Sequence, residues 1–191
     1  GESLGEHGLY FAHDFSLYDE LLRVPLMLRA PGVAPAIDST AVSLIDVLPT
    51  ICALADLECA DDLDGARLPR TGGDDDHARF SRRTLYAASA PARSRYRRPW
   101  LLVPGLEGRL TMALAGQRKL IRIPTPTGPA YRAYDLAADP AEAVDRFDAS
   151  SDYALAAHLA AWSAAAATPP SVSKQLPETV TRELRALGYL E

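Results

Sequence analysis

Residues 23–32 read Arg-Val-Pro-Leu-Met-Leu-Arg-Ala-Pro-Gly, a short apolar run that ends in a Pro-Gly turn pair. An apolar run of this length without polar alternation predicts a buried strand of a mainly parallel sheet over residues 23–30. Pro25 lies near the start of the run, where a strand tolerates the loss of one N–H donor. The stretch favours an α/β fold, because parallel strands are normally covered by helices on both faces.

A second apolar run, residues 40–45, leads into a predicted helix that begins after Asp46. Asp46 can be its N-cap, and Pro49 then lies in the first turn, where its missing N–H has no intrahelical partner to lose. The apolar face of this helix consists of Val47, Leu48, Ile51, Leu54 and Ala55. One or two strands and one helix cannot cover both faces of a parallel strand, so we expect further strands to precede Gly1.

The second half of the chain predicts a smaller antiparallel unit. Residues 58–83 are rich in Asp, Gly and Arg, so we expect a linker there and place a domain boundary between residues 75 and 76. Four strands are predicted, over residues 84–88, 110–114, 118–123 and 131–136. Two helices are predicted to follow, over residues 152–167 and 177–188.

The composition excludes several classes of protein. Of the 191 residues, 48% are hydrophobic and 24% are charged, which is typical of a globular protein. The formal net charge of −5 disfavours nucleic acid as a partner. No stretch approaches the roughly 20 apolar residues that a membrane-spanning helix needs. Cys52 and Cys59 show no C-x-x-C spacing and no second pair, so we interpret them as buried or incidental thiols.

Several motifs occur in an order that is found in one family. The chain opens with G-E-S-L-G-E-H-G and continues with L-Y-D-E-L-L-R-V-P-L. Five further motifs follow in order: Arg29–Gly32, Val42–Thr50, Asp64-Gly65, Arg118–Arg122 and Tyr134–Pro140. These stretches resemble the sulfatase family of the alkaline phosphatase superfamily: its segment beginning S-D-H-G-E, its R-x-P-G turn, its V-S-x-x-D-x-x-P-T stretch, its D-G-x-S-L exit, its Y-K-L-I strand and its L-Y-D-L-x-x-D-P signature. The tail, residues 183–189, is similar to the ending of many bacterial members. The resemblance covers nearly the whole chain.

The resemblance implies a fold and its division. Residues 1–75 would be the C-terminal remnant of the catalytic α/β domain, an incomplete alkaline-phosphatase-like sandwich with part of a mainly parallel sheet. Residues 76–191 would be a subdomain with a small antiparallel sheet and C-terminal helices. The chain would begin directly after the Asp-His pair of S-D-H-G-E, and the N-terminal part of the same protein would be its partner.

The resemblance also implies a reaction, the cleavage of sulfate esters, which include sulfated carbohydrates. Sulfatases use a formylglycine made from Cys or Ser in a C/S-x-P-S/x-R motif, beside a divalent cation that is usually Ca²⁺. Cys52 and Cys59 lack the Pro and Arg of this motif, and the metal-ligating carboxylates would precede Gly1. We therefore assign no metal ligand to this chain and expect it to be inactive alone. A periplasmic or extracellular location is a family expectation.

Two histidines are the candidate site residues. His13 matches the position just before the L-Y-D segment where sulfatases place a Lys or His near the sulfate, so we assign it a catalytic and substrate-binding role. His7 lies in a Gly-flanked loop and is a second substrate-binding candidate, against the alternative of an ordinary loop histidine. Tyr18, Asp19 and Arg23 are interpreted as structural residues that fix the turn presenting His13.

Two alternatives to a sulfatase stay open. The first is a phosphate or phosphonate ester hydrolase of the same superfamily, which the missing nucleophile motif would distinguish. The second is a non-catalytic module that binds an anionic polymer through the C-terminal sheet and the basic cluster Arg93–Arg98, which is otherwise a solvated loop. A partial catalytic domain predicts exposed apolar surface around Val24–Leu28, whereas a binding module predicts a stably folded chain.

Overall fold

The computed structural model describes residues 1–13, 16–69, 75–89, 108–166 and 178–186. The strands are β1 (Ser3–Leu4), β2 (Tyr10–Ala12), β3 (Thr84–Ala88), β4 (Thr111–Ala115), β5 (Arg118–Ile123) and β6 (Ala130–Asp135). The α-helices are α1 (Asp19–Leu22), α2 (Val47–Leu54), α3 (Asp75–Ser81), α4 (Tyr153–Ala166) and α5 (Glu178–Ala186), and two 3₁₀ turns span Glu6–Gly8 and Leu44–Asp46. None of the described helices is long and apolar enough to cross a membrane.

The chain forms two compact units, Gly1–Ala161 and Trp162–Glu191. The first contains both sheets, helices α1 to α3 and most of α4, and the second contains the end of α4 and all of α5. The domain boundary predicted between residues 75 and 76 lies inside the first unit, and it stays a prediction.

An antiparallel sheet with the order β3-β4-β5-β6 is the centre of the first unit. Its strands are neighbours both in sequence and in space, and Leu120 of β5 pairs with Ala113 of β4 and Ala133 of β6. The four predicted strands and their antiparallel arrangement are confirmed, and so are the two predicted C-terminal helices, observed as α4 and α5.

The two faces of this sheet bury different sets of side chains, because successive residues of a strand point to opposite faces. On one face, a cluster of apolar side chains includes Leu17 from the segment before α1; its buried members are Leu17, Leu110, Met112, Ile121, Ile123 and Tyr134. On the other face Ala113, Leu120 and Ala133 are completely buried, as is Leu159 of α4. Both faces of the sheet therefore carry buried side chains.

The strand predicted over residues 23–30 is wrong. This segment has no regular secondary structure, and Met27 is 91% exposed. A strand forms where a neighbouring strand satisfies its backbone groups, and none of the described strands pairs with this segment. The exposed apolar surface predicted around Val24–Leu28 is confirmed, since Val24, Leu26 and Leu28 are also exposed.

Three further predictions, for α2 and the residues that follow it, require correction. The helix begins after Asp46 as predicted, but the Asp46 side chain does not cap it; the carboxylate instead forms a capping box with Ser43 around the preceding 3₁₀ turn. Cys52 and Cys59 are not free thiols, because they form a disulfide with Cα atoms 5.9 Å apart. The predicted linker, residues 58–83, also contains helix α3, which is held by the buried Phe80.

Candidate functional site

A short β-hairpin carries both candidate histidines. Strands β1 and β2 pair with a register shift, so that Ser3 lies opposite Ala12 and Leu4 opposite Tyr10. The connection contains His7 with a φ of 52° between Gly5 and Gly8, whose φ angles of 138° and 72° suit glycine. His7 therefore lies in the tight connection, and His13 follows directly after β2.

The ring of His7 is held against the start of α1. It stacks on Tyr18 with ring centroids 3.6 Å apart and planes 9° apart. Its Nε2 lies 3.9 Å from Oε2 of Glu20, and its side chain is 17% exposed. The His7 ring is thus held against Tyr18 and near a carboxylate, while its backbone is exposed.

His13 has a different environment from His7. Its side chain is 69% exposed, and its Nδ1 lies 3.7 Å from Oε1 of Glu2. The adjacent residues 14 and 15 lie outside the described residues. The structure thus gives the two histidines separate partners, and their assigned roles stay predictions.

Tyr18 joins the hairpin to the sheet through hydroxyl contacts. Its hydroxyl accepts a hydrogen bond of 3.0 Å from Nη1 of Arg132 and lies 3.5 Å from the hydroxyl of Tyr134. Burial raises the pKa of Tyr134 well above its ordinary value, and the hydrogen bond with Tyr18 adds to this effect. The phenol of Tyr134 therefore acts as a neutral hydrogen-bonding group at neutral pH. The predicted role of Tyr18, which is to fix the turn that presents His13, stays a prediction.

A buried ion-pair cluster lies next to Tyr18. The Nζ of Lys119 is 2.8 Å from Oδ1 of Asp19 and 2.8 Å from Oε1 of Glu142. The other oxygen of Glu142 accepts a hydrogen bond of 2.6 Å from the backbone N–H of Asp19. Burial raises the pKa of Glu142, while the neighbouring Lys119 opposes this rise. Sequence reasoning missed Lys119 and Glu142 as a pair, although Lys119 shares the inward alternation of Ile121 and Ile123.

No metal site is seen in the part of the chain that the structure describes. No group of three or more His, Cys, Asp or Glu side chains there could hold an ion. The donor set of the described residues therefore does not fit a Ca²⁺ site, which needs several oxygen ligands, and we derive no step through a metal. The basic cluster Arg93–Arg98 lies outside the described residues.

Comparison of the fold with solved structures gives its class. Over its whole length the chain aligns with a protein from Bacteroides thetaiotaomicron VPI-5482 assigned as a sulfatase, with a TM-score of 0.62 and 18% identity. The alignment covers 36% of that protein. The fold is therefore a partial alkaline-phosphatase-like α/β fold.

Sequence comparison finds similarity to sulfatases in part of the chain. The chain is 46% identical over 55 residues to the choline-sulfatase of Rhizobium meliloti (strain 1021) and 42% identical over 69 residues to the uncharacterized sulfatase YidJ of Escherichia coli (strain K12). These matches cover 29% and 36% of the chain, but only 10% and 14% of the two relatives. No family model matches. The chain is therefore similar in sequence to sulfatases over about a third of its length, and it spans only a small part of the curated relatives it matches.

Proposed function

We propose that this chain contributes part of the catalytic domain of a sulfuric ester hydrolase. The observation that carries the proposal is the 46% identity to a choline-sulfatase over 55 residues. The sulfatase-like fold of the whole chain supports it. Since the matched relatives are much longer than this chain, we propose that the chain alone has no turnover.

The groups that start the reaction would lie outside this chain. Cys52 and Cys59 are joined to each other, and neither belongs to a C-x-P-S-R motif, so neither is the precursor of a formylglycine. The formylglycine and a divalent cation such as Ca²⁺, expected for the family, would be held by residues that this chain does not contain. When bound, such a cation neutralises charge on the sulfuryl group.

His13 would act on the substrate. An exposed imidazole can donate a hydrogen bond to a sulfate oxygen or protonate the leaving oxygen of the ester. Glu2, 3.7 Å away, can orient the ring through Nδ1 and leave Nε2 for the substrate. His7, whose ring is fixed by Tyr18, is the second proposed substrate contact.

Exposed apolar side chains between residues 27 and 51 form an exposed apolar segment. They support the proposal that the partner of this chain is another part of the same domain. Met27 and Ile37 are 91% and 98% exposed, and Leu44, Ile45, Leu48 and Ile51 are each at least half exposed. Exposed apolar surface of this extent marks an interaction site. We propose that the N-terminal part of the catalytic domain covers this surface.

The substrate and the compartment follow from the same proposal. The substrate is a sulfate ester, with sulfated carbohydrate as the class to test after small organic sulfates. The Cys52–Cys59 disulfide supports a periplasmic or extracellular location, because structural disulfides persist in oxidising compartments.

The test compares the 191-residue chain with the full reading frame that contains it, on 4-nitrophenyl sulfate and 4-nitrophenyl phosphate. We expect sulfate hydrolysis by the full protein and none by the chain alone. His13→Ala in the full protein should lower kcat by about 10²- to 10⁴-fold. His158→Ala is the matched control, since His158 is an exposed residue of α4.

Three results would contradict parts of the proposal. Preferential hydrolysis of the phosphate ester would make the protein a phosphoryl hydrolase of the same superfamily. Salt-sensitive binding of heparin without any turnover would favour the anion-binding module. Equal activity of the His13 and His158 variants would remove His13 from the reaction.

A further inference from the structure

Lys119 lies in an unusual place for a lysine. Its side chain is 1% exposed, and it points to the same face of β5 as the apolar residues Ile121 and Ile123. A buried ammonium group requires paired negative charge, because its desolvation is costly. The position of Lys119 therefore indicates that the carboxylates in contact with its ammonium group have a specific role.

Those carboxylates come from two distant parts of the chain. Asp19 is the first residue of α1, and Glu142 follows β6 in a turn where its φ is 51°, an unfavourable angle for a residue other than glycine. Glu142 is 2% exposed. It contacts Lys119 with one oxygen and the backbone N–H of Asp19 with the other, so it binds the first turn of α1 across 123 residues. A strained backbone persists where surrounding contacts fix it.

Helix α1 transmits this attachment to His7. The residue before the helix, Tyr18, stacks on the His7 ring, and the second residue, Glu20, faces its Nε2. Both contacts flank Asp19 directly. A shift of α1 relative to the sheet would therefore separate His7 from at least one of its two supports.

The same helix supports the strand that leads to His13. Oε1 of Glu20 lies 3.3 Å from Oγ of Ser3, which donates a hydrogen bond to it, and Ser3 is completely buried. Ser3 pairs with Ala12, and His13 is the next residue. The path from α1 to His13 thus consists of one side-chain hydrogen bond and one strand pairing.

We propose that Lys119 and Glu142 are positioning residues: they fix α1 on the sheet and thereby set the place of His7 and of the hairpin that carries His13. This inference rests on the proposed function for its catalytic meaning. Neither residue touches the substrate in this scheme. Their effect on the site passes through Asp19, Tyr18 and Glu20.

The experiment measures how fast diethyl pyrocarbonate modifies His7 in the full 191-residue chain, by peptide mapping. In the parent protein we expect slow reaction of His7 and fast reaction of the exposed His158 of α4, which lies outside the proposed path and serves as the internal reference. Lys119→Met should accelerate the modification of His7 about tenfold, because the loss of an anchor increases local opening. Glu142→Gln should give a smaller acceleration, since its amide oxygen still accepts from Asp19.

Leu159→Ala is the control for general loss of stability, because Leu159 is a completely buried residue of α4 and has no place in the Lys119 cluster. When Leu159→Ala lowers Tm by as much as Lys119→Met does, it should still leave the rate of His7 modification unchanged. The proposal is overturned if Leu159→Ala accelerates His7 as much as Lys119→Met. It is also overturned if Lys119→Met folds with an unchanged His7 rate. Should Lys119→Met fail to fold, Glu142→Gln decides by the same comparison.

The reactivity of His7 requires no turnover, so it separates this inference from the proposed function. A protein that lacks sulfatase activity but shows the His7 effect would contradict only the proposed function. In the active full protein, Glu142→Gln should lower kcat, while Arg82→Met at an exposed position should leave it unchanged.

Discussion

The carboxylate of Asp46, which has no exposed surface, lies 2.6 Å from Nη1 of Arg83, 37 residues further along the chain. The same carboxylate accepts hydrogen bonds from the backbone N–H groups of Ser43 and Ala66, at 2.8 Å and 2.9 Å. One side chain thereby joins the start of α2, the segment after the disulfide loop and the residue that precedes β3. An unpaired buried carboxylate is strongly unfavourable, and these three partners together offset the burial of the Asp46 charge.

Arg83→Met should lower the free energy of unfolding by about 3 kcal/mol, since it leaves the buried Asp46 without its cationic partner. Urea denaturation measures the change. The adjacent Arg82 is exposed, and Arg82→Met should change stability by less than about 0.5 kcal/mol. Equal stability of the two variants would show that Asp46 does not depend on Arg83.

The Cys52–Cys59 disulfide should stabilise the chain by about 2 kcal/mol, the value expected for a closed loop with a sequence separation of 7. Reduction with dithiothreitol should therefore lower Tm. The double variant Cys52→Ala, Cys59→Ala should show the lower Tm and no response to the reductant. Two titratable thiols in the unreduced protein would contradict the disulfide.

The sequence predicted those elements whose signals are local. The alternation of residues 118–123 and the turn residues after them specify a strand and its connection, and both were confirmed. The helix observed as α4 was predicted from its Ala-rich composition and apolar spacing. In each case the hydrogen bonds or packing that stabilise the element involve residues close in sequence.

The sequence did not predict features that depend on distant partners. The run at residues 23–30 has the composition of a buried strand, but composition does not provide the neighbouring strand that it needs. Asp46 was interpreted as a helix cap because its true partners, Ala66 and Arg83, are 20 and 37 residues away. The buried Lys119 could have been found, because it falls on the inward side of an alternating strand.

Acid should destabilise the protein partly through Asp152. The hydrogen bonds from Arg118 are the largest cause that holds the pKa of Asp152 below its ordinary value, and the backbone N–H of Asp148 adds to them. The folded state therefore binds fewer protons at this group than the unfolded state. Its contribution is present above the ordinary pKa of about 3.9 and is lost as the pH falls through the lower folded value.

Asp152→Asn should lower the free energy of unfolding at pH 7 by about 2 kcal/mol, because it removes charge-assisted hydrogen bonds to Arg118. It should also flatten the fall in stability at acid pH. Urea denaturation at a series of pH values measures both effects. Asp61→Asn, at an exposed position, is the matched charge change and should keep the parent pH profile. If the free energy of unfolding of Asp152→Asn falls at acid pH as steeply as that of the parent, the Arg118–Asp152 ion pair is not the source of that fall.

The exposed apolar segment should make the chain bind the dye 8-anilinonaphthalene-1-sulfonate and self-associate. Met27→Ser together with Ile37→Ser should reduce both effects, since these side chains are 91% and 98% exposed and form part of the uncovered surface. Stability should change by less than about 0.5 kcal/mol, because neither residue loses buried contacts on substitution. Val144→Ser, at a position that is 50% exposed and far along the chain, should leave dye binding unchanged. If the rest of the domain covers this surface as proposed, the full protein should bind little dye. Strong dye binding by the full protein that Met27→Ser and Ile37→Ser abolish would show instead that the surface stays open and that its partner is another molecule.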